Sequence, residues 1–140
     1  MFCSKVSVVT NASPKSIWAL WSDVGSWSKW DPDVEHCQLK QGSFQKGAKA
    51  LLKPRGGPRV NIEIVECVTE QKFVSHSFLP LTTIVFHHEI QPQEQGQSLI
   101  THRVEFNGPL APIFYFLIGR GIVKGLPAAL KNLAALAEKQ

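Results

Sequence analysis

The sequence predicts an α+β fold in which a curved, seven-stranded antiparallel sheet wraps around one long C-terminal helix. Three observations support this prediction. Apolar residues recur at every second position over roughly 75 residues after Pro32, as in half-buried strands. Short turns separate these segments, and short turns favour antiparallel neighbours. Beyond Gly108 the period becomes helical, with Leu126, Leu130 and Leu133 on one stripe.

The first part of the chain predicts one strand and two short helices. Residues 2–11 alternate as a strand does. Ser13 followed by Pro14 is a helix-start signal, because a capping hydroxyl precedes a residue whose missing N–H costs nothing at the first helical position. This helix is expected to end near Ser22. A second short helix, which carries two tryptophans, ends before Asp31-Pro32.

The middle of the chain predicts six further strands, bounded by turns such as Gln41-Gly42 and Glu94-Gln95-Gly96. The strands are 34–40, 48–53, 59–68, 72–79, 82–91 and 97–107. For strand 72–79 the pattern leaves open which face points inward. A single helix about 10 Å wide cannot cover so broad a sheet. Either the sheet curls tightly around the helix, or a largely apolar pocket remains between them.

Length and composition indicate one ordinary globular domain over residues 1–140, with 44% hydrophobic and 19% charged residues. The net charge of +4 comes from scattered basic residues, so no nucleic-acid partner is expected. Three cysteines without a CxxC pair indicate reduced thiols and a cytoplasmic protein. The longest apolar stretch, 110–119, is shorter than the roughly 20 residues that span a bilayer. No cofactor and no metal are expected, and the chain is predicted to be a monomer or a weak homodimer.

A resemblance to a known family starts near the N-terminus. The run SPKSIWALWSD at residues 13–23, then Trp27, Trp30, Pro32 and Val34, resembles the opening signature of one superfamily branch. This is the polyketide cyclase/dehydrase-like branch of the START-related helix-grip (SRPBCC) superfamily. The resemblance extends over essentially the whole chain. It implies a helix-grip fold and binding of a lipid, a polyketide-like molecule or another aromatic compound.

Two histidines fall on apolar faces of neighbouring predicted strands. His88 shares a face with Ile84 and Phe86, and His102 shares one with Val104. If residues 94–96 form a three-residue hairpin loop, His88 lies opposite His102, with the side chains about 5 Å apart. Two neighbouring imidazoles in a pocket can bind a ligand oxygen, act in acid–base catalysis or hold a metal. A purely structural role for the pair stays open.

Glu66 is the third polar candidate. It follows Val60, Ile62 and Ile64 at period two, so it is predicted to point inward. A buried carboxylate has a raised pKa and can serve as a general base. Its position near a strand end favours the other interpretation, a structural or rim placement in which solvent or a basic neighbour satisfies the carboxylate.

These arguments define a predicted site. The candidate catalytic residues are His88, His102 and Glu66. The predicted ligand-binding residues are Ile62, Ile64, Glu66, Phe73, Phe86, His88, His102, Val104, Phe106, Phe114, Ile118 and Ile122. The four tryptophans form either a wall of this site or a plug at the end of the sheet. The primary hypothesis is binding or carrying of a hydrophobic small molecule. The alternatives are a cyclase/dehydratase-type enzyme and a partner-binding stress-response protein.

The segment at residues 114–118 is apolar all round, so half of it must face something other than the sheet. A ligand, a partner subunit and a membrane surface are the candidates, and plain burial of the segment in the core is the favoured alternative. Arg120 and Lys124 flank this segment and would allow transient contact with an anionic bilayer.

Overall fold

One antiparallel sheet of seven strands dominates the computed structural model, which describes residues 2–40 and 42–139. The strands are β1 (Phe2–Thr10), β2 (Val34–Leu39), β3 (Lys49–Pro54), β4 (Val60–Val68), β5 (Lys72–Leu79), β6 (Thr82–Pro92) and β7 (Ser98–Asn107). Their order across the sheet is β1-β7-β6-β5-β4-β3-β2. The predicted fold class is confirmed, and each strand end lies within one residue of its predicted position. Gln41, in one predicted turn, lies outside the described residues.

Two short helices connect β1 to β2. Helix α1 (Pro14–Ser22) begins where the sequence predicts, because the Ser13 hydroxyl oxygen accepts a hydrogen bond from the Ser16 backbone N–H at 3.1 Å. A 3₁₀ helix, Val24–Lys29, follows. Together these helices place three buried tryptophans at one end of the sheet. These are Trp21, Trp27 and Trp30.

The C-terminal helix is built in three parts. Helix α2 (Ala111–Phe114) leads into one π-helical turn, Tyr115–Gly119, and then into α3 (Arg120–Glu138). The buried stripe of α3 is Leu126, Ala129, Leu130, Leu133, Ala134 and Ala137. At its far end, the Glu138 carboxylate accepts hydrogen bonds from the Thr10 hydroxyl and the Asn11 backbone N–H. The last turn of α3 is thereby attached to the end of β1.

By length and composition alone, Ala111–Glu138 is long and apolar enough to cross a membrane. The sequence predicts an apolar stretch that ends at Gly119, but the helix itself continues to Glu138. Its second half packs on the sheet through fully buried Leu130 and Leu133. It is therefore the helix around which the sheet curves. Its first half is unusual for a core helix because several of its apolar side chains are exposed.

At Gly119 the C-terminal helix packs tightly against a side chain of β7. A Cβ atom at this position would lie 2.8 Å from the Tyr115 ring and 2.9 Å from the Phe106 ring. Real Cβ atoms do not come so close to aromatic carbons, so a side chain here would push the helix off β7. The glycine that weakens the helix locally also lets it lie against the sheet.

Two apolar clusters fill the interior. The larger lies among α1, the 3₁₀ helix, the sheet and the second half of α3. The smaller lies under the start of the C-terminal helix and contains Ile84, Val104, Phe106, Ala111 and Leu126. Members of both clusters line a cavity, so the interior of the fold contains an open space between two packed regions.

Candidate functional site

A cavity of about 470 Å³ lies between the concave face of the sheet and the C-terminal helix. Its sheet wall comes from β2 to β7, and its helical wall from the segment between Phe114 and Ala129. Trp27 and Trp30 close it at the end formed by the short helices. The volume falls in the range of about 300–1,000 Å³ that is typical of small-molecule sites.

Seven of the predicted ligand-binding residues line this cavity. They are Ile62, Phe86, His88, His102, Phe114, Ile118 and Ile122. Four others are buried beside it in the apolar clusters instead. These are Ile64, Phe73, Val104 and Phe106. The structure therefore places seven of the predicted residues at the cavity surface and four others in the packed core beside it.

The two histidines occupy neighbouring places on the cavity wall. His88 pairs directly with His102 across β6 and β7, which is the register that the three-residue loop predicts. Their ring centroids are 4.7 Å apart and the rings are nearly perpendicular. The His88 ring also stacks on Phe73, with centroids 3.9 Å apart and an angle of 7° between the planes. Aromatic neighbours thus hold both imidazoles in fixed orientations.

Burial keeps both imidazoles uncharged. Loss of hydration holds the pKa of His88 well below its usual range, and the neighbouring His102 lowers it further. Burial lowers the pKa of His102 to about 3. One nitrogen of each ring, His88 Nδ1 and His102 Nε2, has no hydrogen-bond partner among the described residues. A neutral imidazole carries one donor and one acceptor, so the pair can satisfy either kind of ligand group.

The predicted position of Glu66 is wrong. A β-bulge between Ile64 and Glu66 inserts Val65 as an extra residue, so Ile64 faces Ser75 while Glu66 faces Val74. This shift reverses the alternation and turns Glu66 to the outer surface. There its carboxylate pairs with Lys72, whose hydrogen bond lowers the pKa of Glu66. Glu66 is no part of the cavity and cannot act there as a base.

Strand β5 supplies polar groups that the sequence left undecided. Its inward face carries Phe73, Ser75, Ser77 and Leu79, and the last three of these line the cavity. His76 consequently lies on the other face. Leu79 pairs with Thr82 across a two-residue turn, so counting back from this turn sets Phe73 opposite His88 and identifies the inward serines.

The tryptophans fill the end of the sheet, and two of them also line the cavity. Trp21 is fully buried and only packs, whereas Trp27 and Trp30 also border the cavity. The indole N–H of Trp27 donates to the Trp21 carbonyl at 2.9 Å, which fixes the Trp27 ring. The Trp30 indole N–H, by contrast, has no partner in the part of the chain that the structure describes. It is a third unpaired polar group at this wall.

The cavity opens where the first half of the C-terminal helix faces the β3–β4 loop. Leu117 and Ile118 on the helix border it, as do Arg55 and Pro58 on the loop. Leu117 is 72% exposed although it also faces the cavity. An apolar side chain in this position is what an entrance for a hydrophobic ligand requires.

Asp31 and Asp33, which the sequence reading missed as site residues, also border the cavity. Asp31 Oδ1 accepts a hydrogen bond from the Asp33 backbone N–H at 2.9 Å. Burial nevertheless raises the pKa of Asp31 to about 6. The Asp33 carboxylate lies against Gly125 of α3, where any Cβ atom would overlap with it. No sequence signal marks these residues, because their burial depends on how α3 covers the sheet.

A curved sheet that grips a long helix and leaves a cavity between them defines the helix-grip class. The chain belongs to the family described as polyketide cyclase/dehydrase and lipid transport, whose model matches residues 1–138. A comparison with curated protein sequences finds no match.

Solved structures agree on the fold. The crystal structure of Ara h 8.0201 superposes with a TM-score of 0.74 at 11% identity, covering 99% of this chain and 98% of that one. A START superfamily protein from Mycobacterium smegmatis gives a TM-score of 0.71 at 16% identity, with 95% and 97% coverage. A protein from Thermobifida fusca gives 0.71 at 22% identity, with 97% and 95% coverage. At these identities the likeness establishes the fold alone.

Proposed function

We propose that this protein binds or carries a hydrophobic small molecule in the cavity between its sheet and its C-terminal helix. The observation that carries the proposal is the cavity of about 470 Å³, with aromatic and aliphatic walls and a few unpaired polar atoms. Sites that bind small molecules combine apolar walls with a small number of placed polar groups. A lipid, a polyketide-like molecule or another aromatic compound matches this lining.

Acid–base catalysis is the weaker alternative. The histidines border the cavity, but their depressed pKa values leave no protonated imidazole to donate a proton near neutral pH. Glu66, the third candidate, lies on the outer surface. The pair is better suited to hydrogen bonding with a ligand than to transferring protons. This comparison favours a binding protein.

Gly121 offers a direct test of binding. It borders the cavity within α3, and a Cβ atom placed there meets no atom within 4 Å. Gly121→Trp is therefore expected to extend an indole into the entrance without disturbing the core. The neutral fluorescent probe N-phenyl-1-naphthylamine should bind the wild-type protein. We expect the substitution to weaken this binding about tenfold or more, as measured by fluorescence titration.

Gly121→Ala is the matched control. It removes the same helix-weakening glycine, which is worth about 1 kcal/mol in a helix interior, but adds only a methyl group. Probe affinity should stay within about twofold of wild type. Equal probe binding by the tryptophan variant and by the alanine variant would place the probe outside the cavity.

We further propose that the cavity entrance makes transient contact with a membrane surface. Three consecutive apolar residues of the π-helical turn, Phe116, Leu117 and Ile118, are 67%, 72% and 41% exposed. Ile113, one turn earlier, is 53% exposed. Arg120 and Lys124 follow on the same helix and are exposed, so the apolar patch carries the charge that anionic headgroups attract.

Leu117→Glu is expected to weaken binding to vesicles that contain anionic phospholipid by about tenfold, because a carboxylate resists transfer into the interface and repels the headgroups. Vesicle flotation over a range of lipid concentrations measures the effect. Val9→Glu is the matched control, since Val9 is 52% exposed but lies on β1, outside the cavity lining. Equal losses in both variants would mean that general charge, and not this patch, governs vesicle binding.

A further inference from the structure

The polar atoms at the imidazole end of the cavity are all uncharged. His88, His102 and Trp30 line the cavity, and all three side chains are at least nine-tenths buried. One nitrogen of each ring, His88 Nδ1, His102 Nε2 and Trp30 Nε1, has no hydrogen-bond partner among the described residues and almost no accessible area, so a ligand group reaches it only after a small shift of the ring. The Trp30 and His102 ring centroids are 5.8 Å apart, so these groups form one cluster. The hydroxyls of Ser75 and Ser77 border the same cavity.

Positive charge does not reach this cluster. Two arginines border the cavity in the described part of the chain. The guanidinium of Arg103 pairs with Glu105 and His87 on the outer face of the sheet. The guanidinium of Arg55 is at the entrance, where its Nε donates to the Pro32 carbonyl at 2.9 Å.

Negative charge, in contrast, is already present at the wall. Asp31 and Asp33 both border the cavity, and neither forms an ion pair with a described cation. A ligand carboxylate that passed Arg55 at the entrance would meet these acidic side chains and would lose its hydration without a cation at the imidazole end to replace it. An isolated charge is strongly disfavoured in such surroundings, whereas an unpaired neutral donor or acceptor gains from a neutral partner.

We propose that the cavity selects neutral ligands whose hydroxyl or carbonyl group hydrogen-bonds to the His88–His102 pair, and that it excludes carboxylates. This inference rests on the proposed function, because it specifies the ligand class of the same cavity. Neutral phenols, ketones and alcohols with an apolar body have the required chemistry. Ionised fatty or aromatic acids do not.

Three compounds of the same ring size test the inference: naphthalene, 2-naphthol and 2-naphthoate. Each is titrated at pH 7.5 as a competitor of N-phenyl-1-naphthylamine. We expect 2-naphthol to bind about tenfold more tightly than naphthalene and at least tenfold more tightly than 2-naphthoate. A factor of ten corresponds to about 1.4 kcal/mol, close to the net value of one hydrogen bond.

Histidine variants test whether the preference for 2-naphthol over naphthalene arises at the His88–His102 pair. In the double variant His88→Leu/His102→Leu, 2-naphthol should compete no more strongly than naphthalene, so the tenfold preference should be lost. If the double variant does not fold, each single variant should reduce the preference at least threefold. A preference that survives all of these substitutions would overturn the assignment to the pair.

The remaining outcomes separate this inference from the proposed function. Tighter binding of 2-naphthoate than of 2-naphthol, lost again in Arg55→Gln, would overturn the inference and assign the anchor to the entrance. Failure of naphthalene itself to compete would overturn ligand binding in the cavity altogether, and the inference with it.

Discussion

Phe73→Ala is expected to lower the free energy of unfolding by about 4 kcal/mol, one of the largest effects of any single substitution in this protein. The Phe73 side chain is fully buried, and its ring stacks on His88. It also lies 5.4 Å from Trp21 and 5.0 Å from Phe44, measured between ring centroids. Truncation leaves a void that these large, rigid rings cannot fill. Urea denaturation monitored by tryptophan fluorescence measures the loss.

The same substitution at an exposed phenylalanine gives the control. Phe116 is 67% exposed, so Phe116→Ala should change the free energy of unfolding by less than about 0.5 kcal/mol. If Phe73→Ala abolishes folding, Phe73→Leu keeps most of the volume and should cost about 1.5 kcal/mol. Comparable losses at positions 73 and 116 would contradict the central packing role given to Phe73.

The protein is expected to lose stability as the pH falls from 6 to 4. The folded-state pKa values of both buried imidazoles lie below the usual value, whereas the histidines of the unfolded chain take up protons below about pH 6.5. The unfolded state therefore binds more protons, and stability falls as the pH falls. His102, whose folded-state pKa is about 3, contributes roughly 1 kcal/mol per pH unit in this range, and His88 adds to the loss.

Asp31 offsets part of this loss. Because its folded-state pKa is about 6 instead of 3.8, the folded state binds the extra proton between these values. This group contributes a stabilisation that grows as the pH falls, opposite in sign to that of the histidines. Asp33, whose pKa burial also raises, acts in the same direction as Asp31.

Two variants separate these contributions in urea titrations at pH 4, 5, 6 and 7. His88→Leu/His102→Leu should no longer lose stability as the pH falls and should instead gain from Asp31, whereas Asp31→Asn should make the loss steeper. An unchanged slope in the double variant would show that other groups, such as surface carboxylates, control acid unfolding.

Local patterns in the sequence were sufficient to predict the strands and the facing histidines. Residues 94–96 form a short hairpin loop, so the register of β6 against β7 follows from counting outward from the loop. The capped start of α1 at Ser13 is equally local. In both cases the deciding interactions lie within a few residues of one another in the chain.

Several features of the site could not be predicted from the sequence pattern. The bulge at Val65 changes the alternation of β4 by one residue, and this reverses the orientation of Glu66. No residue in the Ile64–Glu66 segment signals a bulge, since none is a glycine. The burial of Asp31 and the volume of the cavity depend on how the C-terminal helix lies across the sheet, which is a long-range property.

The pairing of β1 with β7 has a consequence for synthesis on the ribosome. Phe2 pairs with Phe106 and Thr10 with Ser98, and the end of β1 is held by Glu138. During synthesis β1 is made well before β7, so it waits for most of the domain to follow before it gains its hydrogen-bonded neighbour. Long-range strand pairing of this kind slows folding and leaves an unpaired edge exposed in the meantime. Folding of the domain therefore depends on late closure, and β1 is the strand where protection by a chaperone would matter most.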